Sequence, residues 1–520
     1  MLYQMNIRMR WRRIALVLVY VAMFGAFVIV SDSQIEKSYY DVANGQPNSS
    51  NASAAERHQG APASLTTMST AERHQGAPAS LTTVSAARSG ASRCPVRFPS
   101  FVDVRMNNFM WQRVHEMDIF LYAAYYDGRQ VATRGQRFVR VLGMKDICAL
   151  PPMYCQLWYE GERAPHVVKA SQQWLWFNCK EAIVPNEYHA IMYTCRLPRR
   201  RGAVLPRFVS VAPLPCTPAT NALAVSGREP PPGGAAARQD FGVCVKGLNF
   251  LDADISERLV EWIEMHRLLG AQKIFFYKYD VTPAMDAVLR HYERVGVVDV
   301  TPLTLPGAHP NEPRMRSMFV SNNSWQAWLM EVFVYTDCLY RNINTYRYLA
   351  VVDIDEIIVP RRGMTWQTIM AAIRESEPNI DRYASYTFRN EYFLDQFFVA
   401  PSDRFPPFMH ALQHVNRSAK LSPKGEDIKS FVNTQGALSV HNHWPLQLLP
   451  GYEPVTYWVD ESVARMQHYR STCSTVNETA CDPSYTGDVV TDTTIWKYAE
   501  PLVQNALRAT EAVNNILATE

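Results

Sequence analysis

The stretch Tyr348-Leu-Ala-Val-Val-Asp353-Ile-Asp355-Glu356-Ile-Ile-Val-Pro360 decides the fold predicted for this chain. It begins as an apolar run typical of a buried strand, breaks at three acidic residues, and then becomes apolar again. Buried strands of α/β proteins present ligand sites at their carboxyl ends. Carboxylates two residues apart at such a point suit a hard divalent cation that carries a diphosphate. The stretch therefore predicts a metal–diphosphate site at the edge of a sheet.

A second Asp-x-Asp sequence, Asp252-Ala-Asp254, shows that spacing alone is weak evidence for such a site. Glu257 follows Asp254 at the spacing of a capping box, and an apolar stripe with helical spacing then runs to Gly270. We therefore interpret Asp252-Ala-Asp254 as a helix cap. For Asp353 and Asp355, a solvated acidic turn remains the alternative to a metal site.

The residues around the acidic stretch alternate between strand and helix patterns. Apolar runs predict strands at 242–246, 273–277, 297–300 and 348–352, and helical stripes predict helices at 255–269, 284–294 and 325–341. This order predicts an α/β fold with a doubly wound sheet, in which ligands bind beyond the carboxyl ends of the strands. No Gly-x-Gly-x-x-Gly follows the first strand, which argues against a dinucleotide site.

The N-terminal residues have the pattern of a membrane anchor. Several arginines, including Arg12 and Arg13, precede the uncharged run Ile14–Val30. Because positive charge favours the cytoplasmic side, we predict a cytosolic tail, an uncleaved transmembrane signal-anchor and a lumenal remainder. A cleaved signal peptide is the alternative. The formal net charge of +3 gives no electrostatic argument for binding nucleic acid.

Composition divides the chain into further segments. A Ser-, Thr-, Ala- and Pro-rich segment contains a tandem repeat of 13 residues and is predicted to be a disordered stem. An aromatic, β-branched segment with six of the ten cysteines follows it and is predicted to be a small, disulfide-stapled, β-rich domain. The predicted segments are 1–13 (cytosolic tail), 14–30 (transmembrane signal-anchor), 31–93 (stem), 94–225 (β-rich lumenal domain), 226–238 (linker), 239–500 (catalytic domain) and 501–520 (C-terminal helix or tail).

The cysteines and glycosylation sequons agree with an oxidising lumen. All ten cysteines lie beyond the predicted anchor, and their even number suggests disulfides whose pairing the sequence does not give. Asn-x-Ser/Thr sequons, which accept glycans in secreted proteins, begin at Asn48, Asn51, Asn322, Asn416 and Asn477. We therefore expect a glycosylated, disulfide-bonded protein.

From Gly242 onward the chain resembles glycosyltransferase family 92. The resemblance rests on the order and spacing of short elements: Val243-Cys-Val-Lys-Gly-Leu, Glu261-Trp-Ile-Glu, Gly270-Ala-Gln-Lys273, Asp337-Cys338, Val351-Val-Asp-Ile-Asp-Glu, Lys429-Ser430, His441-Asn-His443 and His468-Tyr-Arg470. The blocks Tyr122-Ala-Ala-Tyr-Tyr-Asp-Gly-Arg129 and Tyr154-Cys-Gln-Leu-Trp-Tyr159 resemble the lumenal domain that precedes it in animal members.

The resemblance implies a GT-A-like, doubly wound mixed sheet, a type II Golgi topology and transfer of galactose from UDP-galactose. It implies as acceptor the fucose of N-glycan cores, in β1,4 linkage. A glycosyltransferase of this kind would have a nucleotide sugar and an N-glycan or glycoprotein as partners, would be held in the membrane by its N-terminal helix, and could form a homodimer.

Such a transfer requires a bound metal ion, and we predict its ligands among the acidic residues and histidines. Cleavage of a sugar–diphosphate bond requires a cation, Mn²⁺ or Mg²⁺, to neutralise the leaving UDP. We predict Asp355 as the direct ligand and place Asp353 on metal-bound water or ribose, with Glu356 holding the turn. A third ligand is expected from His441 or His443, and we prefer His443.

The remaining site residues are predicted to bind the diphosphate and to take a proton. His468 and Arg470 suit the diphosphate, and Lys429 is a further candidate for it. An inverting transfer needs a carboxylate that takes the proton of the acceptor hydroxyl. We predict Glu391 for this role, with Asp395 as a second candidate. Two other carboxylates compete with them, Glu426 and Asp427.

Two alternatives to a UDP-galactose-dependent galactosyltransferase remain open from the sequence. The same fold could use another UDP-sugar or another acceptor. The chain could also be a non-catalytic lumenal carbohydrate-binding protein whose acidic residues bind Ca²⁺.

Overall fold

The computed structural model describes most of the chain after residue 94, which belongs to one compact unit, 94–520. The described residues are 95–129, 135–146, 150–176, 187–199, 204–227, 238–399, 401, 403–452, 455–473 and 482–519. The predicted cytosolic tail, transmembrane anchor and stem lie outside them, as does most of the predicted linker.

The first part of the described chain is rich in β-structure, as predicted. Its strands are β1 (Gln112–Arg113), β2 (Ile119–Asp127), β3 (Phe138–Lys145), β4 (Tyr154–Trp158), β5 (His166–Lys169), β6 (Ser171–Trp174), β7 (His189–Arg196), β8 (Phe208–Ala212) and β9 (Leu223–Ser226). They form one sheet in the order β5-β4-β8-β9-β2-β3-β7-β6, with β1 paired to β2. A disulfide between Cys155 and Cys195 joins β4 to β7. We call this the N-terminal sheet.

The second part of the described chain mixes helices and strands. Its strands are β10 (Gln239–Phe250), β11 (Lys273–Val281), β12 (Val298–Pro302), β13 (Tyr346–Val351), β14 (Glu356–Pro360), β15 (Ser385–Phe388), β16 (Asn390–Leu394), β17 (Asn416–Ser418), β18 (Lys429–Asn433), β19 (Ala437–Val440), β20 (Pro445–Leu448), β21 (Thr456–Trp458), β22 (Ala464–Arg470) and β23 (Val489–Thr491). Its helices are α1 (Ser256–Leu269), α2 (Pro283–Arg294), α3 (Pro313–Asn322), α4 (Ser324–Asn342), α5 (Trp366–Ser376), α6 (His410–Gln413), α7 (Pro483–Thr486) and α8 (Ala499–Leu517).

The central sheet has the order β12-β11-β10-β13-β18-β15-β21 among the described strands. β10, β11, β12 and β13 are parallel to one another, whereas β18 is antiparallel to both β13 and β15. The chain moves outward from β10 to β12 and then returns to the other side of β10 with β13. In open α/β sheets such a reversal of strand order forms a ligand-binding crevice beyond the carboxyl ends of the strands, here those of β10 and β13. The observed α/β architecture with a mixed sheet agrees with the prediction.

Alternate residues of the central strands face two apolar cores, because successive side chains of a strand point to opposite faces. Val243 of β10 and Ile274 of β11 pack on the side of α1, α2, α5 and α8. Cys244 of β10 and Tyr277 of β11 pack on the side of α4, together with residues of the N-terminal sheet such as Phe120 of β2. A second disulfide, Cys244–Cys338, joins β10 to α4. The two sheets therefore share one apolar core around α4.

Helix ends and element boundaries differ from the predictions in a few places. α1 has Ile255 as its N-cap, so Asp254 lies one residue ahead of the predicted capping box and instead accepts the N–H of Ser256 at 3.1 Å. The segment predicted as a C-terminal helix or tail is helix α8, which buries apolar residues such as Leu502 and Val513. Helix α3 was not predicted, because its sequence has no clear apolar stripe.

The predicted location, a single-pass type II protein of the Golgi membrane, is contradicted. Within the described residues, no helix has the length and the apolar character needed to cross a membrane. The longest described helices, α4 and α8, each span 19 residues. α4 carries charged residues such as Glu331 and Asp337, which would be costly in lipid. The predicted anchor at 14–30 itself lies outside the described residues.

Candidate functional site

The acidic stretch forms a tight turn between β13 and β14, at the crevice where the strand order reverses. The N–H of Glu356 donates to the carbonyl of Asp353 at 3.1 Å, and the N–H of Asp353 donates to Glu356 Oε2 at 2.8 Å. Glu356 is 1% exposed, and its burial raises the pKa of its carboxyl group. Glu356 therefore holds the turn, and its carboxylate is not open to a ligand.

Asp353 lies between two lysines that come from neighbouring strands. Its Oδ2 is 3.0 Å from Lys429 Nζ of β18 and 3.4 Å from Lys246 Nζ of β10. Burial alone would raise the pKa of Asp353, but the two ammonium groups lower it far below its usual value. Glu331 of α4 is 3.2 Å from Lys246 Nζ. The crevice thus contains paired charges of both signs.

Lys429 is the centre of this polar cluster. Its side chain is 1% exposed and its Nζ lies 3.1 Å from Glu356 Oε2, in addition to its contact with Asp353. Nζ also donates to Asn442 Oδ1. The hydroxyl of Tyr335 lies 3.2 Å from the same amide oxygen and 3.3 Å from Asp353 Oδ1. Because an unpaired buried charge is costly, these partners explain why a lysine is stable here.

Asp355 is the acidic residue that reaches solvent, since its side chain is 38% exposed. Its Oδ2 is 3.4 Å from His468 Nε2, and His468 Nδ1 is 3.6 Å from Glu356 Oε1. Burial alone would lower the pKa of His468, but the two carboxylates raise it overall. The His468 charge in turn keeps the pKa of Asp355 below its usual value, against the opposing effect of partial burial. Asp355 is therefore an ionised, accessible carboxylate.

His443 is held in a form that can bind a cation. Its Nδ1 is 2.6 Å from the carbonyl oxygen of Ile428, so Nδ1 carries the proton and Nε2 keeps its lone pair. Burial lowers the pKa of His443 to about 4, which leaves the ring neutral at physiological pH. The ring of His441 lies beside it, with centroids 5.2 Å apart. In the described structure, the ligand atoms of Asp353, Asp355 and His443 do not all lie within 4.8 Å of one another.

The two residues predicted to bind diphosphate, His468 and Arg470, lie near each other on one face of β22. Arg470 is near enough for its charge to oppose the protonation of His468 and to act on the pKa of Tyr392 of β16. Tyr392 is directly opposite His468 in the register of the two strands. The structure therefore brings His468 and Arg470 to the same side as Asp355.

The structure does not bring the predicted catalytic base, Glu391, to the acidic turn. Glu391 is opposite Gln467 of β22, so it points to the face away from His468. It is 1% exposed and forms ion pairs with Arg417 at 3.2 Å and Arg465 at 3.3 Å. This carboxylate stabilises the sheet internally and has no access to an acceptor.

The second predicted base, Asp395, also lies away from the acidic turn. It is exposed in a 3-10 turn, Asp395–Phe397, directly after β16. Its carboxylate lies beside His410 and His414, not beside Asp355. The position of Asp395 relative to the acidic turn could not be predicted from strand periodicity, because it depends on how the preceding strand β16 pairs with β22.

Four residues of the polar cluster were missed by sequence reasoning: Lys246, Glu331, Tyr335 and Asn442. Lys246 had a recognisable signal, since it is a charged residue within the apolar run that ends β10. Glu331 and Tyr335 stand one helical turn apart on α4, a spacing that also occurs on ordinary helix faces. Asn442 lies between His441 and His443, and histidine is the more common metal ligand of the two residue types.

A mixed α/β domain with charged residues at the reversal of its strand order defines a class of ligand-binding folds that includes nucleotide-dependent enzymes. Comparison with known families narrows this class. The family model of glycosyltransferase family 92 matches residues 239–506, just over half of the 520-residue chain. The chain belongs to glycosyltransferase family 92.

Two curated relatives come from Caenorhabditis elegans. The chain is 25% identical over 178 residues to glycosyltransferase family 92 protein C33H5.2, a match that covers 34% of this chain and 32% of that protein. It is 28% identical over 122 residues to beta-1,4-galactosyltransferase galt-1, which covers 23% of this chain and 25% of that protein. The match thus spans about a third of the length of C33H5.2 and a quarter of the length of galt-1. Membership of the family supports a glycosyl transferase activity.

Proposed function

We propose that the chain is a metal-dependent, inverting galactosyltransferase that transfers galactose from UDP-galactose to a glycan. The observation that carries this proposal is the accessible, ionised Asp355 in a crevice whose other carboxylates are already paired. The central sheet, with parallel strands and one reversed strand beside β13, agrees with a GT-A fold. The galactose donor is supported by the similarity to galt-1. The fucose acceptor, in β1,4 linkage, rests on the family resemblance.

The chemistry of the residues at the acidic turn suits a divalent cation, Mn²⁺ or Mg²⁺, whose binding would have to draw their ligand atoms together from the positions seen in the described structure. Asp355 offers an accessible carboxylate, and His443 offers a neutral ring with a free Nε2 lone pair. Asp353 is held by Lys429 and Lys246, which suits contact with ribose or with a metal-bound water. When bound, the cation would neutralise charge that develops on the leaving diphosphate.

The diphosphate itself would contact the most accessible cation of the crevice and the two basic residues of β22, of which His468 is largely buried. Lys246 has a side chain that is 37% exposed, whereas Lys429 is 1% exposed and fully engaged. We therefore assign Lys246 to the diphosphate, together with His468 and Arg470. Lys429 instead fixes Asp353 and Glu356 in position.

Asp427 replaces Glu391 as our candidate base. It is half-buried, accepts the hydroxyl of Tyr392, and immediately precedes Ile428, whose carbonyl holds His443. Its backbone has a positive φ of 48°, a conformation that is costly for a residue with a side chain and concentrates at functional sites. In the proposed step, Asp427 takes the proton of the acceptor hydroxyl, and the oxygen of that hydroxyl bonds to the anomeric carbon of galactose. The bond from that carbon to UDP breaks, and UDP leaves with the electron pair.

Transfer assays on the purified full chain test this assignment. We expect a product with UDP-galactose and a core-fucosylated N-glycan in the presence of Mn²⁺, and none with the unfucosylated glycan. Asp427→Asn should lower kcat by about 10²–10⁴-fold, the usual loss when a general base is removed. Glu426→Asn, at a neighbouring exposed carboxylate, is the matched control and should keep full activity. Turnover of another UDP-sugar alone would contradict the donor, and an unchanged kcat in Asp427→Asn would contradict the base.

A further inference from the structure

We propose that Asp395, His410 and His414 form a second metal site, separate from the acidic turn, that takes a divalent cation of the zinc class. Each residue offers one ligand atom, and these atoms all lie within 4.8 Å of one another. Two imidazole nitrogens and one carboxylate oxygen are a donor set that suits Zn²⁺, with a water molecule in the fourth position.

The two histidines are one helical turn apart and face the same way. His410 is the first residue of α6 and His414 directly follows its last residue, Gln413, with its N–H donating to the carbonyl of His410 at 2.9 Å. Residues four apart on a helix share a face, which is the spacing of paired histidine ligands in helical zinc sites. Their ring centroids are 5.5 Å apart. The backbone therefore presents both imidazoles to one point.

His414 is the observation that most favours a ligand. It is 1% exposed, and neither of its buried ring nitrogens forms a hydrogen bond of ordinary geometry among the described residues, although the backbone of Leu394 lies close enough to raise its pKa. Buried polar groups are nearly always paired, and each unpaired one needs a physical explanation. A cation bound by the imidazole would supply the missing partner for one nitrogen.

The surrounding residues fix the orientation of the histidines, as the outer contacts of a metal site do. The buried Glu261 of α1 accepts the N–H groups of Ala411 at 3.0 Å and Leu412 at 3.3 Å, which anchors the start of α6. The ring of Tyr469 contacts both histidines, with centroids 5.8 Å from His410 and 5.7 Å from His414. These contacts hold the rings in place before any cation binds.

The charges around the cluster are compatible with a cation. Burial lowers the pKa of His410 to about 3, so its ring is neutral and keeps a lone pair at physiological pH. Arg258 of α1 adds a nearby positive charge, which acts on both histidines. Asp395 supplies the opposite charge and, being exposed, leaves one side of the site open to solvent.

The site lies on the opposite face of β22 from the proposed sugar-nucleotide crevice. Tyr469, which contacts the two histidines, and His468, which contacts Asp355, are successive residues and point to opposite faces. The N–H of Tyr469 donates to the carbonyl of Asp355 at 2.9 Å. A cation here would tie the turn after β16 to α6 and would support the strand behind the acidic turn.

Zinc titration of the full chain tests the proposal. The protein is treated with a chelator, dialysed, and titrated with Zn²⁺ in a calorimeter. We expect one site that persists in Asp355→Asn, so that failure of the proposed transferase site leaves this result unaffected. His414→Gln should weaken binding by at least about 100-fold, because a lost ligand costs more than a lost outer contact. Asp395→Asn, at an exposed residue that cannot disturb folding through burial, should weaken it by about 10-fold or more.

Two controls make the outcome decisive. His291→Gln removes a histidine on α2, away from the cluster, and should leave Zn²⁺ affinity unchanged. Arg258→Gln removes the neighbouring positive charge and should strengthen binding. The visible absorption of Co²⁺ in place of Zn²⁺ reports tetrahedral coordination by nitrogen and oxygen. Unchanged Zn²⁺ affinity in both His414→Gln and Asp395→Asn, or loss of the site in Asp355→Asn, would overturn the proposal.

Discussion

At the scale of single residues, Lys429 balances the negative charge of the acidic turn and holds its carboxylates in position. It is almost fully buried and contacts Asp353, Glu356 and Asn442. Lys429 is the nearest cation to both carboxylates, and loss of one partner from a buried ion pair is strongly destabilising. Lys429 therefore has a structural role that its sequence position did not reveal, since lysines are mostly solvated.

Replacement of Lys429 should consequently reduce stability strongly. Lys429→Met keeps the length of the side chain but leaves Asp353 and Glu356 without their shared partner. We expect a loss of about 3–5 kcal/mol in the free energy of unfolding, measured by urea denaturation. The control is Lys420→Met, which removes an exposed pair with Asp482 and should cost about 0–1 kcal/mol. Equal losses in the two variants would show that the Lys429 contacts are not stabilising.

His468 makes the stability depend on pH. Its two carboxylate neighbours raise its pKa in the folded protein above the unfolded value of about 6.5. A raised pKa contributes stability that is fully present below the unfolded pKa and is lost as the pH rises through the folded pKa. His468→Gln should therefore destabilise the protein more at pH 6 than at pH 9. Thermal unfolding of both proteins across this range measures the difference, and a difference that grows with pH would contradict the assigned pairing.

At the scale of elements, α1 positions two separate parts of the molecule. The indole N–H of Trp262 donates to the carbonyl of Glu356 at 3.0 Å, so α1 supports the acidic turn. One residue earlier, Glu261 accepts the N–H groups at the start of α6. The sequence Glu261-Trp-Ile-Glu thus has a physical function in joining β14 and α6 to the helix.

Variants of Glu261 separate its hydrogen bonds from its charge. Burial raises the pKa of Glu261 to about 7, although the backbone N–H groups of α6 oppose this shift. Glu261→Gln keeps a carbonyl acceptor and should change stability little at pH 6, where much of the Glu261 population is neutral. Glu261→Ala leaves the N–H groups of Ala411 and Leu412 unpaired and should cost about 1–3 kcal/mol. Chemical denaturation at pH 6 distinguishes the two, and an equal loss in both would assign the effect to packing alone.

At the scale of the whole molecule, the N-terminal sheet and the central sheet are joined through α4. Asp337 of α4 accepts the hydroxyls of Tyr125 from β2 and of Tyr277 from β11, and pairs with Arg341 at 2.7 Å. Apolar residues of both sheets, such as Phe120 and Leu349, belong to the same buried core. This sharing predicts that neither part folds well alone.

The shared core makes a prediction about fragments. Residues 238–520, expressed without the N-terminal sheet, should expose the apolar face of α4 and therefore aggregate or bind hydrophobic dyes. Thermal unfolding of the chain should show one cooperative transition for the two sheets. Addition of residues 95–227 as a separate chain serves as the control and should restore solubility. Two well-separated transitions, or a soluble and cooperative 238–520 fragment, would contradict the shared core.

Sequence patterns predicted much of the fold but only part of the site. Alternation of apolar runs placed β11, α2 and α4 within a few residues, because these elements bury a single face with clear periodicity. Asp355 and His468 were predicted as site residues because motifs contain them, and the structure places the two side chains in contact. Lys246 and Asn442 come from strands and loops far apart in sequence, and only the sheet register brings them to Asp353. Glu391 was misplaced for the same reason, since its face depends on its pairing with β22.

The release of UDP from UDP-galactose by Asp355 variants tests the central claim most directly. With Mn²⁺ and a fucosylated acceptor, we expect Asp355→Asn to lower kcat by about 10²-fold or more, because charge on the leaving diphosphate is no longer neutralised. Asp252→Asn, in the other Asp-x-Asp sequence, should leave kcat unchanged, and both variants should unfold at nearly the same temperature as the native chain. Equal rates for Asp355→Asn and Asp252→Asn would contradict the assignment of the crevice as the sugar-nucleotide site.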